Sequence, residues 1–168
     1  MSNSTESQPN GQVPDAVSRL GELMATYPAP WALCGGWAVD AWLGRLTREH
    51  GDVDLSVFVH DQRSLFEHLG GWQLVPHVRG NEGELWDGRR VLDHPGHIHA
   101  RIATGEAAPP PGSILTVEEG FFLDIQLDDR EGDGWILLRE PRITVPLATA
   151  IRRSPWGLPT VAPEILLF

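Results

Sequence analysis

The feature that most constrains the fold is a strict alternation of side chains in residues 52–59. Apolar residues fill every second position there, and two aspartates begin the intervening set, in the order DVDLSVFV. Because successive side chains of a strand point to opposite faces, this period of two predicts a half-buried β-strand. The same geometry places Asp52 and Asp54 on one face, about 7 Å apart at a rise of about 3.3 Å per residue.

Helical and strand patterns flank this strand. Apolar residues at three- and four-residue steps from Val13 to Met24 predict a helix, and the apolar run at 31–34 predicts a buried strand. Gly35 and Gly36 then predict a turn before a short helix at 37–43. Asp61 predicts the cap of another helix. Further strands are expected at 72–75, 98–102, 121–127, 135–139 and 142–145, and further helices at 147–153 and from 163. This order predicts an α/β (α+β) fold, in which helices pack on a mixed β-sheet.

The 168 residues suggest one domain. Residues 1–12 are rich in Ser, Asn, Gln and Gly, so we expect a flexible polar tail at 1–12 and one domain at 13–168. The amino terminus lacks the basic and apolar segments of a signal peptide, and no apolar run approaches the roughly 18 residues of a membrane span. A single cysteine, Cys34, gives no sign of an oxidising compartment. A cytoplasmic location without membrane partners is therefore expected.

The net charge of −10 narrows the classes of partner. An acidic chain is a poor ligand for nucleic acid, which needs clustered basic residues, so no nucleic-acid partner is expected. A negative cleft would attract a cationic substrate, although the same charge can serve solubility alone. All 13 basic residues are Arg, so phosphate contacts from a side-chain cation depend on Arg or a protonated His.

The stretch from Cys34 to Leu55 holds three elements that can carry chemistry. Gly35-Gly36, between a strand and a helix, allows close approach of a phosphate to backbone N–H groups, or is a plain turn. Asp52 and Asp54 can hold Mg²⁺ through carboxylate oxygens, or lie on a solvated strand edge. The link between them, GRLTREH, can neutralise a triphosphate through Arg48 or form ordinary salt bridges.

Together these elements resemble the polymerase-β-like nucleotidyltransferase superfamily, in which GG ends a strand and DxD lies on the next one. The segment GGWAVDAWLGRLTREHGDVDL is most similar to aminoglycoside and lincosamide nucleotidyltransferases. The resemblance is dense over 34–55 and looser from there to about 168, where LPTVAPEILLF resembles the closing segment of that family. Trp37 stands where many superfamily members have Ser, a departure that the antibiotic-modifying branch tolerates.

The resemblance implies the fold and the roles of particular residues. It implies a nucleotidyltransferase fold, a Mg²⁺ site at Asp52 and Asp54, and nucleotide contacts from Gly35, Gly36 and Arg48. It also implies a third carboxylate on a later strand, and the best match is Asp124 in FFLDIQL, as general base or further metal ligand. The alternative is that Asp124 points to solvent, with Asp128 or Asp129 in its place.

The expected activity is Mg²⁺-dependent transfer of AMP from ATP to a hydroxyl of a small antibiotic-like acceptor, with an aminoglycoside as first choice. One alternative is a toxin–antitoxin type nucleotidyltransferase that acts on a protein or RNA. Another is a non-catalytic nucleotide-binding remnant, because the chain stops on Leu-Leu-Phe where the resemblance implies further helices. That ending suggests a truncated form, or a minimal member whose acceptor pocket a second subunit completes in a homo-oligomer.

A histidine-rich segment is a weaker candidate site. His94, His97 and His99 lie close together in the sequence, and His97 and His99 share a strand face. Histidine is a common metal ligand, but no cysteine or patterned carboxylate completes a zinc-binding set here. Asp40, one turn into the helix after the glycines, is expected to touch substrate or to pair with Arg48.

Overall fold

A mixed β-sheet with helices packed on it confirms the predicted fold class. The computed structural model describes residues 12–78, 81–93, 95–102 and 123–167. Almost all of the predicted tail therefore lies outside the described residues. Within them, no helix combines the length and the apolar character that crossing a membrane requires.

The first half of the chain alternates helices and strands. In chain order it contains α1 (Asp15–Met24), β1 (Trp31–Leu33), α2 (Gly35–Leu43), β2 (Val53–Phe58), a 3₁₀ turn (Val59–Asp61) and α3 (Gln62–His68). The remainder is mostly strand, with β3 (Trp72–Val78), β4 (Asn81–Glu82), β5 (Gly96–Ile102), β6 (Leu123–Glu131), β7 (Gly134–Ile136) and β8 (Thr144–Pro146). The last elements are α4 (Leu147–Ala150), β9 (Ile151–Arg153), β10 (Pro159–Val161) and α5 (Pro163–Leu166).

The sheet places β2 and β6 at its centre. Its strand order is β4-β3-β5-β6-β2-β1-β10-β9, and the far end of β6 also pairs with β7, which pairs with β8. β2 runs parallel to β6, β1 runs parallel to β10, and the other pairs are antiparallel. Central strands are held on both edges, so their side chains are positioned by pairing as well as by packing.

The two faces of the sheet have different roles. One face carries Val53, Leu55 and Val57 of β2, which pack with apolar residues of β6 and of α1 and α3 in the main core. The opposite face carries Asp54 and Ser56 of β2, in line with residues of β6 and β5. We call it the polar face, and it is the face on which the candidate site lies.

Several local predictions were wrong because long-range contacts decided them. Phe58 lies on the polar face of β2, but it is buried and its ring meets Trp135 edge-on, so this end of the face is covered. Asp61 occupies the N-cap position of α3 as predicted, but its side chain makes no capping hydrogen bond. Its carboxylate instead accepts a hydrogen bond from Arg130 at 3.3 Å. The helix predicted at 147–153 ends at Ala150, and its second half is strand β9, which pairs with β10.

Helix α2 begins at Gly35 rather than at 37, so the two glycines predicted as a turn are its first residues, whereas its end is as the sequence predicts. Gly44 follows Leu43 with a φ of 66°, in the left-handed region, and its N–H donates to the carbonyl of Asp40. Trp42 ties the same helix to β10, because its indole N–H donates to the carbonyl of Val161 at 2.7 Å. Both contacts fix the carboxyl end of α2.

Replacing Gly44 by Ala should destabilise the fold. A side chain in the left-handed region costs about 1–2 kcal/mol, and the added Cβ meets Pro155 only at an ordinary 3.8 Å. We expect G44A to lower the free energy of unfolding, measured by urea denaturation, by that amount. G51A is the control, since Gly51 lacks a positive φ and has open space around it. An equal loss in both variants would contradict the assignment.

Candidate active site

Three predicted carboxylates meet on the polar face. The parallel register of β2 and β6 sets Asp54 directly beside Asp124, and Asp52 immediately precedes β2. Each of the three partly exposed side chains offers an oxygen, and these oxygens all lie within 4.8 Å of one another. Asp124 was proposed from resemblance alone, and the fold brings it to the other two acids.

Burial and the charges of the neighbouring acids both raise the pKa of Asp54. Burial raises its pKa to about 6, and the charges of Asp52 and Asp124 add to that rise. A hydrogen bond from the backbone N–H of Gly36 opposes the rise. Three acids this close are costly unless a cation lies among them, and carboxylate oxygens are the ligands that Mg²⁺ prefers. The donor set therefore fits a hard divalent cation.

The glycine turn presses against these acids. Gly35 has a φ of 60°, and a Cβ on it would overlap the carboxylate of Asp54. A Cβ on Gly36 would overlap the guanidinium of Arg48 and the ring of His50. Gly35 therefore requires glycine, and a side chain at Gly36 would displace Arg48 and His50. The Arg-rich link folds back over the amino end of α2, where the guanidinium of Arg48 lies against Gly36. The positive end of a helix beside a guanidinium favours an anion.

A buried network holds this link in place. Asp40 is 0% exposed, and its carboxylate accepts hydrogen bonds from the backbone N–H of Thr47 at 3.1 Å and from Nε2 of His50 at 2.7 Å. Burial raises the pKa of Asp40, but the hydrogen bonds from His50 and Thr47 outweigh it and leave the pKa below its usual value. The expected pairing of Asp40 with Arg48 is therefore wrong. Sequence reasoning missed Thr47 and His50, whose spacing from Asp40 follows no regular period.

Trp37 connects the network to the acids. Its ring stacks on His50 with centroids 4.3 Å apart, and its indole N–H donates to the carbonyl of Asp52 at 2.7 Å. Trp37, which stands where many superfamily members have Ser, thus positions the backbone of Asp52. Trp37 is 6% exposed, so this contact is shielded from water.

A cavity of about 490 Å³ extends from the glycine turn along the polar face. Gly35 and Gly36 line one end of it, and Ser56, Gln126 and Asp128 lie farther along β2 and β6. Apolar side chains complete its wall, among them Trp135, Leu137, Val161 and Ile165. Asp128 is buried and accepts a hydrogen bond from the hydroxyl of Ser56. Cys34 also lines the cavity, and burial beside the acids raises its pKa, so its thiol stays protonated.

Two of the described histidines, His97 and His99, lie next to the acid set. His97 Nδ1 lies 3.2 Å from Oδ1 of Asp124, and His99 Nε2 lies 4.0 Å from Oδ2. His94 lies outside the described residues. Within the part of the chain that the structure describes, the three aspartates are the one group whose ligand atoms come close enough to hold a metal. The sequence suggested a shared face for His97 and His99 but not their contact with Asp124.

Sequence comparison identifies related proteins. The profile of a family described as aminoglycoside-2''-adenylyltransferase matches residues 16–107. A 2''-aminoglycoside nucleotidyltransferase of Escherichia coli is 37% identical over 97 residues, which are 55% of this chain and 53% of that protein. One of the same description from Klebsiella pneumoniae is 48% identical over 97 residues, with the same coverage. The chain spans about half the length of the curated relatives it matches.

Structure comparison agrees on the fold. A lincosamide antibiotic adenylyltransferase, LnuA, solved with lincomycin bound, has a TM-score of 0.57 at 16% identity and covers 94% of this chain and 85% of its own. The solution structure of the resistance factor ANT(2'')-Ia has a TM-score of 0.50 at 16% identity, over 90% of this chain and 66% of its own. The nucleotidyltransferase fold and the aminoglycoside/lincosamide branch implied by the resemblance are thus confirmed.

The raised pKa of Asp54 predicts a pH effect on the metal-free protein. The unfolded chain loses this proton near pH 4 and the folded chain near pH 6, so the group destabilises the fold increasingly as pH rises between them. We expect D54N to be more stable than wild type at pH 7, with a difference that shrinks towards pH 4, in urea denaturation with a chelator present. D93N, at an exposed aspartate, is the control. A difference for D54N that does not vary with pH would contradict the assignment.

Proposed function

Because the chain belongs to the aminoglycoside-2''-adenylyltransferase family, we propose that it transfers AMP from ATP to a hydroxyl of an aminoglycoside or lincosamide-type antibiotic. The observation that carries the proposal is the convergence of Asp52, Asp54 and Asp124 next to a glycine turn. An aminoglycoside is the first candidate acceptor, since the matched relatives are described as 2''-aminoglycoside nucleotidyltransferases and the chain has a net charge of −10.

Asp52, Asp54 and Asp124 would hold Mg²⁺ in this reaction. When bound, Mg²⁺ neutralises charge on the triphosphate and stabilises the attacking and leaving oxygens of an in-line displacement. The carboxylates bring three negative charges to one point of the polar face, so they supply the attraction that draws the cation there. The N–H of Gly36 orients the carboxylate of Asp54 for that role.

The glycine turn and Arg48 would hold the triphosphate. Gly35 and Gly36 let the backbone approach the phosphates closely, and the amino end of α2 favours their charge. Arg48 adds a fixed cation above Gly36, and the Asp40 network keeps the link that carries it folded back. The cavity that starts at the two glycines would take the nucleoside, with Trp135 as an apolar wall.

Asp124 would act on the acceptor. One of its carboxylate oxygens takes the proton of the acceptor hydroxyl, and that hydroxyl oxygen attacks the α-phosphorus. A new oxygen–phosphorus bond forms, the bond between the α-phosphorus and the bridging oxygen breaks, and pyrophosphate leaves. Asp124 suits this step because its side chain is partly exposed beside Asp54, so an acceptor can reach it from solvent.

Removing the proposed base should abolish transfer. General-base catalysis contributes about 10²- to 10⁴-fold, so we expect D124N to lower kcat by that factor in a pyrophosphate-release assay with Mg-ATP and an antibiotic panel. E67Q, which removes an exposed acid of α3, should leave kcat unchanged. If wild type binds Mg-ATP but releases no pyrophosphate with any acceptor, the transferase proposal fails and a nucleotide-binding remnant is favoured.

Arg48 should affect nucleotide binding more than the chemical step. Loss of a hydrogen bond to a charged group costs about 1.5–3 kcal/mol, so R48Q should raise KM for ATP about 10- to 100-fold. R63Q is the matched control, because Arg63 is an exposed arginine that pairs with Glu67 on α3. Steady-state kinetics with varied ATP measures both variants. An unchanged KM for ATP in R48Q would refute the phosphate contact.

A further inference from the structure

Of the three acids, Asp52 lies outside the strand pairing that holds the other two. Asp54 and Asp124 are paired in register across β2 and β6, and the carbonyl of Asp54 accepts a hydrogen bond from the N–H of Cys34 at 3.0 Å. The register between β2 and β6 begins at Val53, so Asp52 immediately precedes the paired residues. Strand pairing therefore does not fix the backbone of Asp52, and a contact from elsewhere in the fold has to.

The indole of Trp37 supplies such a contact. Its N–H donates to the carbonyl of Asp52 at 2.7 Å, across 15 positions of the chain. Trp37 lies in the first turn of α2, and α2 packs against β2, so the donor belongs to a regular element rather than to a loop. The hydrogen bond thus ties the first acid to the helix that begins at the two glycines.

Packing fixes the orientation of the indole. Its ring stacks on His50 with centroids 4.3 Å apart and an interplanar angle of 29°, and the ring of Trp156 lies 6.4 Å away. His50 is held in turn by Asp40, whose carboxylate lies 2.7 Å from Nε2, and the two side chains are 3% and 0% exposed. Asp40 follows Trp37 by three residues on α2, so both project from one face of the helix. The same face therefore places the indole and the imidazole that packs on it.

The position of a carboxylate matters more for one cation than for another. Mg²⁺ requires near-ideal octahedral geometry at about 2.0–2.1 Å, whereas Ca²⁺ accepts flexible arrangements of oxygen ligands at about 2.3–2.6 Å. A carboxylate whose backbone is free to move therefore weakens Mg²⁺ binding more than Ca²⁺ binding. Among the three acids this difference falls on Asp52, because strand pairing already fixes Asp54 and Asp124.

We propose that Trp37 is a positioning residue that fixes Asp52 as a metal ligand and thereby favours Mg²⁺ binding relative to Ca²⁺ binding. This inference rests on the metal site of the proposed function. It assigns metal selectivity to a side chain that offers the cation no ligand atom, since an indole N–H is a donor only. Contacts that orient metal ligands commonly contribute about 10- to 100-fold to metal affinity.

A metal-binding experiment without nucleotide tests the role of Trp37. The protein is titrated with Mn²⁺, whose free form is measured by electron paramagnetic resonance, and Mg²⁺ or Ca²⁺ is then added to displace it. We expect W37F to raise the Kd for Mg²⁺ about 10-fold and the Kd for Ca²⁺ by a smaller factor. An unchanged ratio of the two Kd values in W37F would overturn the proposal.

W42F is the matched control. Trp42 lies on the same helix, and its indole N–H also donates to a distant backbone carbonyl at 2.7 Å, that of Val161. W42F therefore removes a hydrogen bond of the same kind and length that ends on β10 rather than at Asp52. We expect W42F to leave the ratio of the Kd values unchanged. An equal change of the ratio in W37F and W42F would indicate a general effect on α2 and contradict the assignment.

A measurement on the wild type covers the case in which W37F does not fold. The indole N–H resonances of Trp37 and Trp42, assigned through the backbone, are followed by ¹H–¹⁵N NMR while Mg²⁺ is added. We expect Mg²⁺ to shift the resonance of Trp37 and to leave that of Trp42 unmoved. In D52N the shift of Trp37 should disappear. A Trp37 resonance that Mg²⁺ does not move in wild type would refute the coupling between the indole and the metal site.

The two proposals fail in different ways. If W37F changes the ratio of the Kd values while wild type releases no pyrophosphate with any acceptor, the transfer reaction is refuted and the role of Trp37 stands. If pyrophosphate is released while W37F binds both cations as wild type does, the transfer reaction stands and the role of Trp37 is refuted.

Discussion

Parallel pairing of β2 with β6 is the constraint on which the rest of the site depends. In the observed register Asp54 lies beside Asp124. The apolar residues that alternate with these acids along β2 and β6 face the core. A slip of β2 by one residue against β6 would send Asp54 into that core and Leu55 to the polar face. The energy of burying Leu55 and Ile125 therefore also holds the two carboxylates together against their mutual repulsion.

The second constraint is the close approach of the glycine turn to these acids. Gly35 and Gly36 bring backbone N–H groups against Asp54, and the buried Asp40 holds His50 and Thr47 so that the Arg-rich link closes over the turn. On the polar face the two glycines therefore lie on the α2 side of the acids and the histidines on the β5 side.

Local patterns predicted the parts that local physics controls. Alternation identified β2 and Gly44 identified the end of α2, whereas the glycines predicted as a turn before α2 are its first residues. These features depend on the backbone conformation of a few residues that are adjacent in the sequence. The capping hydrogen bond of Asp61 and the helix beyond Ala150 were predicted from the same rules and were wrong, because Arg130 and strand β10 compete for those groups from far along the chain.

The sequence by itself determined that Asp52 and Asp54 share a strand face and that two glycines precede the helical segment. Both features are local, because the period of two and the lack of a Cβ atom in glycine depend on no distant contact. Resemblance to a family pointed to Asp124, which lies 70 residues from Asp54. Only the tertiary structure decided that Asp124 reaches the other acids, that Asp40 binds His50 rather than Arg48, and that His97 stands beside Asp124. These contacts arise from strand register and loop closure, which depend on the burial of the whole sheet and leave no periodic signal in the chain.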